Sequence, residues 1–293
     1  MIRFPELKKS VLLHPQINML KKLILPAIFL LFVTGINAQQ TGEFGPLGGV
    51  SYYNGELNPG MPFRMSKFAY GALYRQNFTD RLAARVHVIR GTLTADDAVT
   101  GVRPDRNLNF TSPLTEIAGQ LEVNFFEYYI GSYQHRWSPF IFGGGAFFMF
   151  KPYAMLGGSK TELRSLGTEG QGSAQYPDRQ AYNLYSFAIP FGMGVKFSVN
   201  KYIGLSAEWG MRRTYTDYID DISKTYYLNL AGADPASVST PEYLSDPTLS
   251  HNTGMQRGNE RNKDWYGFAG ISATVKIRML NRERCLDHQR DGY

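Results

Sequence analysis

From Phe187 to Val199 large apolar residues take every second position: Phe187, Ile189, Phe191, Met193, Val195, Phe197 and Val199. A period of two is that of a β-strand. The residues between them, Ala188, Pro190, Gly192, Gly194, Lys196 and Ser198, are mostly small rather than the charged mixture of a solvated face. Small residues suit a crowded interior, as in a closed transmembrane barrel whose outward side chains meet lipid while the inward ones share a narrow lumen. A soluble lipocalin-like barrel has the opposite facing, and this one pattern does not say which face points in.

Eight alternating segments follow one another: Phe44 to Tyr53, Phe68 to Asn77, Leu82 to Leu93, Pro113 to Glu127, Pro139 to Lys151, Tyr185 to Asn200, Ile203 to Thr214 and Trp265 to Met279. Each matches or slightly exceeds the roughly 9 to 11 residues that a tilted strand needs to cross a bilayer. Their connections alternate strictly in length. Phe78 to Arg81, Tyr128 to Ser138 and Asn200 to Tyr202 are short or moderate, whereas Asn54 to Lys67, Thr94 to Ser112, Pro152 to Leu184 and Tyr215 to Asp264 are long. Segregation of loop length by end is a property of bacterial outer-membrane barrels, and an even strand number returns both termini to the periplasm. The expected fold is therefore all-β: an eight-stranded antiparallel transmembrane β-barrel with short periplasmic turns and long extracellular loops, forming one domain over residues 39–293. Aromatic residues near the strand ends, such as Tyr52-Tyr53, Phe125-Phe126, Tyr128-Tyr129, Phe147-Phe148 and Trp265-Tyr266, suit interfacial girdles. Glycines within the strands, Gly143 to Gly145 and Gly192 and Gly194, suit the sharp curvature of a small barrel.

The amino-terminal stretch changes the picture of where this barrel resides. Lys21-Lys22, an apolar run from Leu23 to Val33 broken only by Pro26, and Ile36-Asn37-Ala38 make a secretory signal peptide over residues 1–38, with Met19 the expected start and cleavage after Ala38. No segment reaches the length of a membrane-spanning helix. Sec-dependent export to the outer membrane of a Gram-negative cell is the expected localisation, with outer-membrane lipid as the first partner. The single cysteine, Cys285, rules out an intrachain disulfide. The formal net charge of +6 includes a net +4 from residues 1–38, which leaves +2 and offers no case for nucleic-acid binding.

Strand phase sets Arg85, His87, Glu122, Asn124, Lys196, Glu208, Arg212, Lys276 and Arg278 opposite the apolar face. The expectation is a lumen network of both signs, Arg85, Glu122, Lys196, Glu208, Arg212, Lys276 and Arg278, that plugs the barrel by mutual neutralisation; a conducting path or proton relay is the alternative. Of His87, His135, His251 and His288 only His87 lies in a strand, and no serine within two positions shares its face, so no catalytic residues and no cofactor are expected. Asp217, Asp220 and Asp221 are the metal candidates, being close enough in sequence to suit a hard cation such as calcium. They lack the glycine and terminal glutamate of a helix-loop-helix site, so a solvated turn is the preferred expectation. Asp96-Asp97 is read as solvated on the same grounds. No phosphate-cradling glycine loop and no zinc spacing is present.

Four stretches resemble the DUF6089 outer-membrane barrels of Bacteroidetes: Gly49-Val-Ser-Tyr-Tyr-Asn-Gly-Glu-Leu-Asn58, Leu166-Gly-Thr-Glu-Gly-Gln171, Glu208 through Asp221, and Asn262-Lys-Asp-Trp-Tyr-Gly-Phe-Ala-Gly270. That family includes PorG-like accessory proteins of the type IX secretion and gliding machinery. The resemblance implies an eight-stranded barrel without enzymatic activity, placed near the periplasmic ring lipoproteins of the secretion machine. A small passive channel and a surface adhesion barrel are the alternatives. The family motif from Thr216 to Asp221 follows the strand bearing Glu208 and Arg212, so lumen-to-loop ion pairs are expected at that corner. The polar tail over residues 281–293, with Cys285, is the segment expected to reach a periplasmic partner.

Overall fold

The computed structural model describes residues 41–278, with side chains as far as Ile277. The signal segment, Cys285 and the polar tail lie outside the described residues, as does the side chain of Arg278. Ten strands are present in chain order: β1 (Thr41–Asn54), β2 (Lys67–Asn77), β3 (Leu82–Asp96), β4 (Asn109–Asn124), β5 (Trp137–Phe150), β6 (Tyr153–Leu156), β7 (Ser159–Glu162), β8 (Tyr185–Ser198), β9 (Ile203–Thr214) and β10 (Trp265–Arg278). Eight of them close into an antiparallel barrel, β1-β2-β3-β4-β5-β8-β9-β10, with β10 pairing back onto β1. The remaining two form a small hairpin within the third long loop, touching the barrel where Tyr153 pairs with Thr111 of β4. The sequence reading gave that connection only as a long one; its residues Tyr153 to Glu162 form a sheet extension. The fourth barrel strand also differs from its expected bounds, beginning at Asn109 and ending at Asn124, so that Phe125 to Glu127 fall in the turn.

Alternation on each barrel strand sends one set of side chains out and the other in. The outward set is a belt of uncovered apolar residues present on all eight barrel strands. Phe44, Phe68, Val86, Leu121, Ile141, Phe187, Leu205 and Ile271 are examples, and Phe68 and Ile271 expose 70% and 69% of their surface. So large an apolar surface around a whole molecule is what a bilayer covers, and it marks a transmembrane barrel. Among the described residues no helix is long and apolar enough to cross a membrane; this chain would cross with strands.

The inward set is where the small residues found their use. Phe140 and Phe142 of β5 point into the lumen and lie against Gly192 and Gly194 of β8 and Gly210 of β9. A Cβ at Gly194 would sit 2.7 Å from the Phe140 ring, and one at Gly192 or Gly210 would sit 2.6 Å from Phe142. These glycines therefore make room for aromatic rings as well as for curvature.

At one end the barrel strands are joined by residues 78–81, 125–136 and 199–202; at the other by loop 1 (55–66), loop 2 (97–108), loop 3 (151–184) and loop 4 (215–264). The largest apolar core lies at the long-loop end. There Tyr53, Leu93, Phe110, Phe148 and Phe150 from the strands pack with Leu57, Leu108, Leu163, Tyr182, Ile219, Ile222 and Leu244 from the loops. The loops are thus folded into a cap. Two short helices belong to it: α1 (Asp97–Thr100), capped by Asp96 accepting from Ala98 N at 2.8 Å, and α2 (Thr240–Ser245), started by a capping box of Ser239 and Glu242.

Candidate functional site

Two polar assemblies stand out, one inside the barrel and one in the cap. In the lumen Glu122 of β4 receives Arg75 of β2 at 2.8 Å, Arg85 of β3 at 3.1 Å and Lys196 of β8 at 2.5 Å. Arg75 also reaches Glu43 of β1 at 2.7 Å, and Glu43 in turn accepts from Thr274 of β10 at 3.0 Å and Asn77 at 2.7 Å. Closer to the cap, Glu116 of β4 meets His87 at 2.7 Å, Arg212 of β9 at 3.1 Å and the hydroxyl of Tyr266 of β10 at 2.6 Å. Arg85 pairs with Glu208 of β9. In the order of the barrel wall β3 and β9 are diametrically opposite, as are β4 and β10. The Arg85–Glu208 and Tyr266–Glu116 contacts therefore cross the full diameter.

Rings fill the space between these pairs. Arg85 lies over Phe142 at 5.0 Å, Lys196 over Phe140 at 4.6 Å and Arg212 over Phe268 at 5.6 Å. Cation–π contacts of this kind stabilise a desolvated cation without needing another anion. Burying these charges costs several kcal/mol per ion unless each is paired and hydrogen-bonded, which the network provides.

The cap is organised differently. Asp97, at the start of α1, binds Arg106 with both oxygens at 2.8 Å and accepts from Leu108 N at 3.0 Å. Arg257 of loop 4 donates to Glu169 at 3.2 Å and to the Asp221 carbonyl at 2.7 Å. Asp221 accepts from Thr168 at 2.5 Å and from Tyr182 at 2.7 Å. Around these pairs sit further carboxylates, of which Asp220, Asp264, Asp217 and Glu56 have no cation as a hydrogen-bonded partner. The Tyr53 hydroxyl at the end of β1 lies 2.6 Å from both Asp220 and Asp264. Asp217, Glu169 and Glu56 gather at Ser223: its hydroxyl donates to Asp217 at 2.8 Å, its N–H to Glu169 at 2.9 Å, and Glu56 Oε2 lies beside its backbone, where a Cβ on Gly258 would also fall.

Burial and mutual repulsion raise the acids of this group. Burial pushes Asp217 up to about 8, with Asp264 adding to the shift, and pushes Glu56 up to about 7. Asp221 is held to about 6 because Arg257 offsets part of its burial. Asp220 and Asp264 are pushed well above the carboxylate range, first by burial and then by neighbouring carboxylates, Glu56 for Asp220 and Asp220 for Asp264.

The residues singled out from the sequence fall as follows. Arg85, Glu122, Lys196, Glu208 and Arg212 meet in the lumen, while Lys276 stands nearer the short-turn end, donating to the Ile130 carbonyl at 3.0 Å. Sequence reasoning missed Glu43, Arg75 and Glu116, which alternate with apolar residues in the same way and were open to the same argument. The metal candidates Asp217, Asp220 and Asp221 lie in the corner after β9 and go to three separate partners, Ser223, Tyr53 and Thr168. Among the described residues no group of three metal-ligating side chains is arranged to hold an ion. The expectation of a solvated turn is overturned too, because the three aspartates expose only 3%, 2% and 1% of their surface. Loops 1, 2 and 3 fold over them, and only loop 4 was visible to a local reading. Asp97 is likewise fully buried, against the same expectation. The expected lumen-to-loop ion pairs do not form either, since Glu208 and Arg212 are taken by Arg85 and Glu116 inside the barrel.

Two surface clefts flank this group. One, of about 450 Å³, is bordered by Tyr176, Arg179, Thr225 and Gly258; the other, of about 480 Å³, by Tyr215, Tyr218 and Lys263; Ser223, Lys224 and Glu260 border both.

A family model described as a domain of unknown function, DUF6089, matches residues 21–229. Among curated proteins none matches the chain. Similar solved structures include the attachment invasion locus protein Ail of Yersinia pestis, at 8% identity over 82% of this chain and 99% of that one, with a TM-score of 0.40. Neisserial surface protein A is 11% identical over 83% of this chain and 98% of its own, with a TM-score of 0.33. The outer membrane protein OprG of Pseudomonas aeruginosa is 11% identical over 83% and 100%, with a TM-score of 0.36.

Proposed function

The chain belongs to the DUF6089 family, and from that premise and its filled lumen we propose that it is a non-enzymatic, non-conducting barrel of the outer membrane that works as a structural and interaction component. The observation that carries the reading is the pair of contacts across the full barrel diameter, Arg85 to Glu208 and Tyr266 to Glu116. Those contacts favour a plugged lumen, and on this reading the barrel acts through its two ends. The belt of exposed apolar residues supports placement in a bilayer, and the alternation of loop lengths supports an outer-membrane orientation with the cap outside.

The finer proposal is an accessory role in the type IX secretion and gliding machinery, with periplasmic ring lipoproteins as partners of the short-turn end. It is supported by the family resemblance in the four stretches named above. A surface-binding role is the second reading, favoured by the two clefts beside Lys224 and Glu260.

Two measurements test these readings. Purified barrel reconstituted in planar bilayers should give no discrete conductance steps, and reproducible steps would replace the scaffold by a channel. Cross-linking in intact outer membranes followed by purification of the tagged barrel should recover the ring lipoproteins. Recovery of unrelated porins alone, with loss of attachment on trimming loop 4, would move the assignment to surface binding.

A further inference from the structure

We propose that Asp220 and Asp264 hold one additional proton between them through the Tyr53 hydroxyl, and that this proton latches loop 4 over the mouth of the barrel. The inference goes beyond the scaffold role and does not depend on it.

The proton follows from counting donors. Tyr53 has one hydroxyl proton and two lone pairs. One lone pair accepts from Glu56 N at 3.1 Å, and the proton serves one of the two carboxylates that lie 2.6 Å away. The second carboxylate, equally close, then needs a proton of its own to donate into the remaining lone pair. On both aspartates the other oxygen is already taken by a backbone donor, Ile222 N at 3.0 Å to Asp220 and Ile219 N at 2.9 Å to Asp264. The oxygen facing Tyr53 is therefore the one that carries the proton. Two ionised carboxylates against one oxygen would leave an acceptor facing an acceptor in a fully buried place, an arrangement that a folded interior avoids.

The surroundings do not supply another remedy. The charged and titratable groups facing the pair are Glu56 from loop 1, Arg106 from loop 2, Tyr182 from loop 3, and Asp217 and Lys263 from loop 4. Arg106 spends its charge on both oxygens of Asp97, and Lys263 donates outward to the Glu260 carbonyl. Glu56 and Asp217 add to the excess of acid. Burial first, and then Glu56 for Asp220 and Asp220 for Asp264, push the two well above the ordinary carboxylate range, in agreement with the donor count.

The latch is also mechanical. Asp220 lies near the start of loop 4 and Asp264 ends it, so the Tyr53 hydroxyl pins both ends of the loop to the rim of β1. Gly55 completes the arrangement, because a Cβ there would lie 2.1 Å from the Tyr53 oxygen and 2.7 Å from Asp264. Loss of the shared proton to solvent on the alkaline side leaves the two anions facing each other and frees the loop.

The test uses the full chain in lipid nanodiscs. Carbon-13 spectra of the aspartate carboxyls, assigned with Asp220→Asn and Asp264→Asn, should show one of the two still protonated at neutral pH; ordinary titration of both near the unperturbed value of about 4 would overturn the proposal. Tryptic cleavage in loop 4, taken as a ratio to cleavage at exposed Lys160 of loop 3, should rise by up to about tenfold per pH unit once the pair titrates. In Asp264→Asn the carboxamide supplies a permanent N–H to Tyr53, and that ratio should rise much less; Asp220→Asn serves if that variant does not fold. A flat ratio in the native chain, or equal rises in the native and Asn chains, sinks the latch. A suppression of cleavage by calcium that a chelator reverses also sinks it, by giving the carboxylates a metal in place of the proton.

Discussion

Glu122 in the lumen and Asp264 in the cap are both fully buried, yet their surroundings have opposite sign. Glu122 faces Arg75, Arg85 and Lys196, whereas Asp264 faces Asp220 across a tyrosine hydroxyl. Taken more widely, the acids of the lumen, Glu43, Glu116, Glu122 and Glu208, are met by Arg75, Arg85, Lys196 and Arg212. In the cap Glu56, Asp97, Glu169, Asp217, Asp220, Asp221 and Asp264 share little more than Arg106 and Arg257. The lumen sets its acids against cations. The cap sets most of its acids against other acids, so that their charge depends on the external pH.

The largest effect should come from unbalancing the lumen. Glu122→Gln leaves three cations without their shared anion and should cost about 3–5 kcal/mol, measured by urea unfolding in lipid vesicles. Adding Lys196→Met to that variant removes one stranded cation and should recover part of the loss. No recovery would mean that the network is not held together by charge balance.

A steric change in the cap should cost less. Gly55→Ala drives a methyl group against Tyr53 and Asp264 and should destabilise by about 1–3 kcal/mol. The loss should be confined to loop exchange rates, with the barrel strands unchanged in hydrogen–deuterium exchange.

The cap's acids give a pH signature of their own. Asp221, Glu56 and Asp217 are raised to about 6, 7 and 8. Raised acids contribute stability that is complete below their unfolded values near 4 and is lost as pH rises through 6 to 8. Exchange of loop 4 amides, corrected for intrinsic rates, should therefore accelerate across that window while lumen amides do not. Asp217→Asn should slow loop 4 exchange at alkaline pH by the equivalent of at least about 1.4 kcal/mol, one pKa unit. No slowing would show that Asp217 is not charged in the native cap.

The smallest effect belongs to the exposed pair of Lys151 and Glu162, 2.9 Å apart at the edge of loop 3. Lys151→Ala should change stability by less than about 1 kcal/mol in the same urea series.

The sequence made the lumen legible and the cap nearly invisible, for physical reasons. A strand imposes a period of two, so Lys196 between Val195 and Phe197, or Glu208 between Ala207 and Trp209, declares its facing locally. Strand β5 is apolar on both faces, with Phe140 and Phe142 inward and Ile141 outward. Its inward rings carried no polar residue to mark them, and their part in the plug was missed. The cap depends on residues far apart in the chain, as where Glu56 of loop 1 meets Asn259 of loop 4, and nothing in a local window brings such residues together. Asp217, Asp220 and Asp221 consequently read as a wet turn, although loops from three other hairpins cover them.

The convergence of Asp220 and Asp264 on one hydroxyl gives loop 4 a fixed base. The cost of closing such an excursion grows only slowly with its length, by about 0.6 kcal/mol per doubling. The tip of loop 4 is therefore where this barrel can be lengthened, shortened or exchanged at little expense to its foundation. Foreign peptides inserted there would sit on a mount whose attachment lies outside the inserted segment.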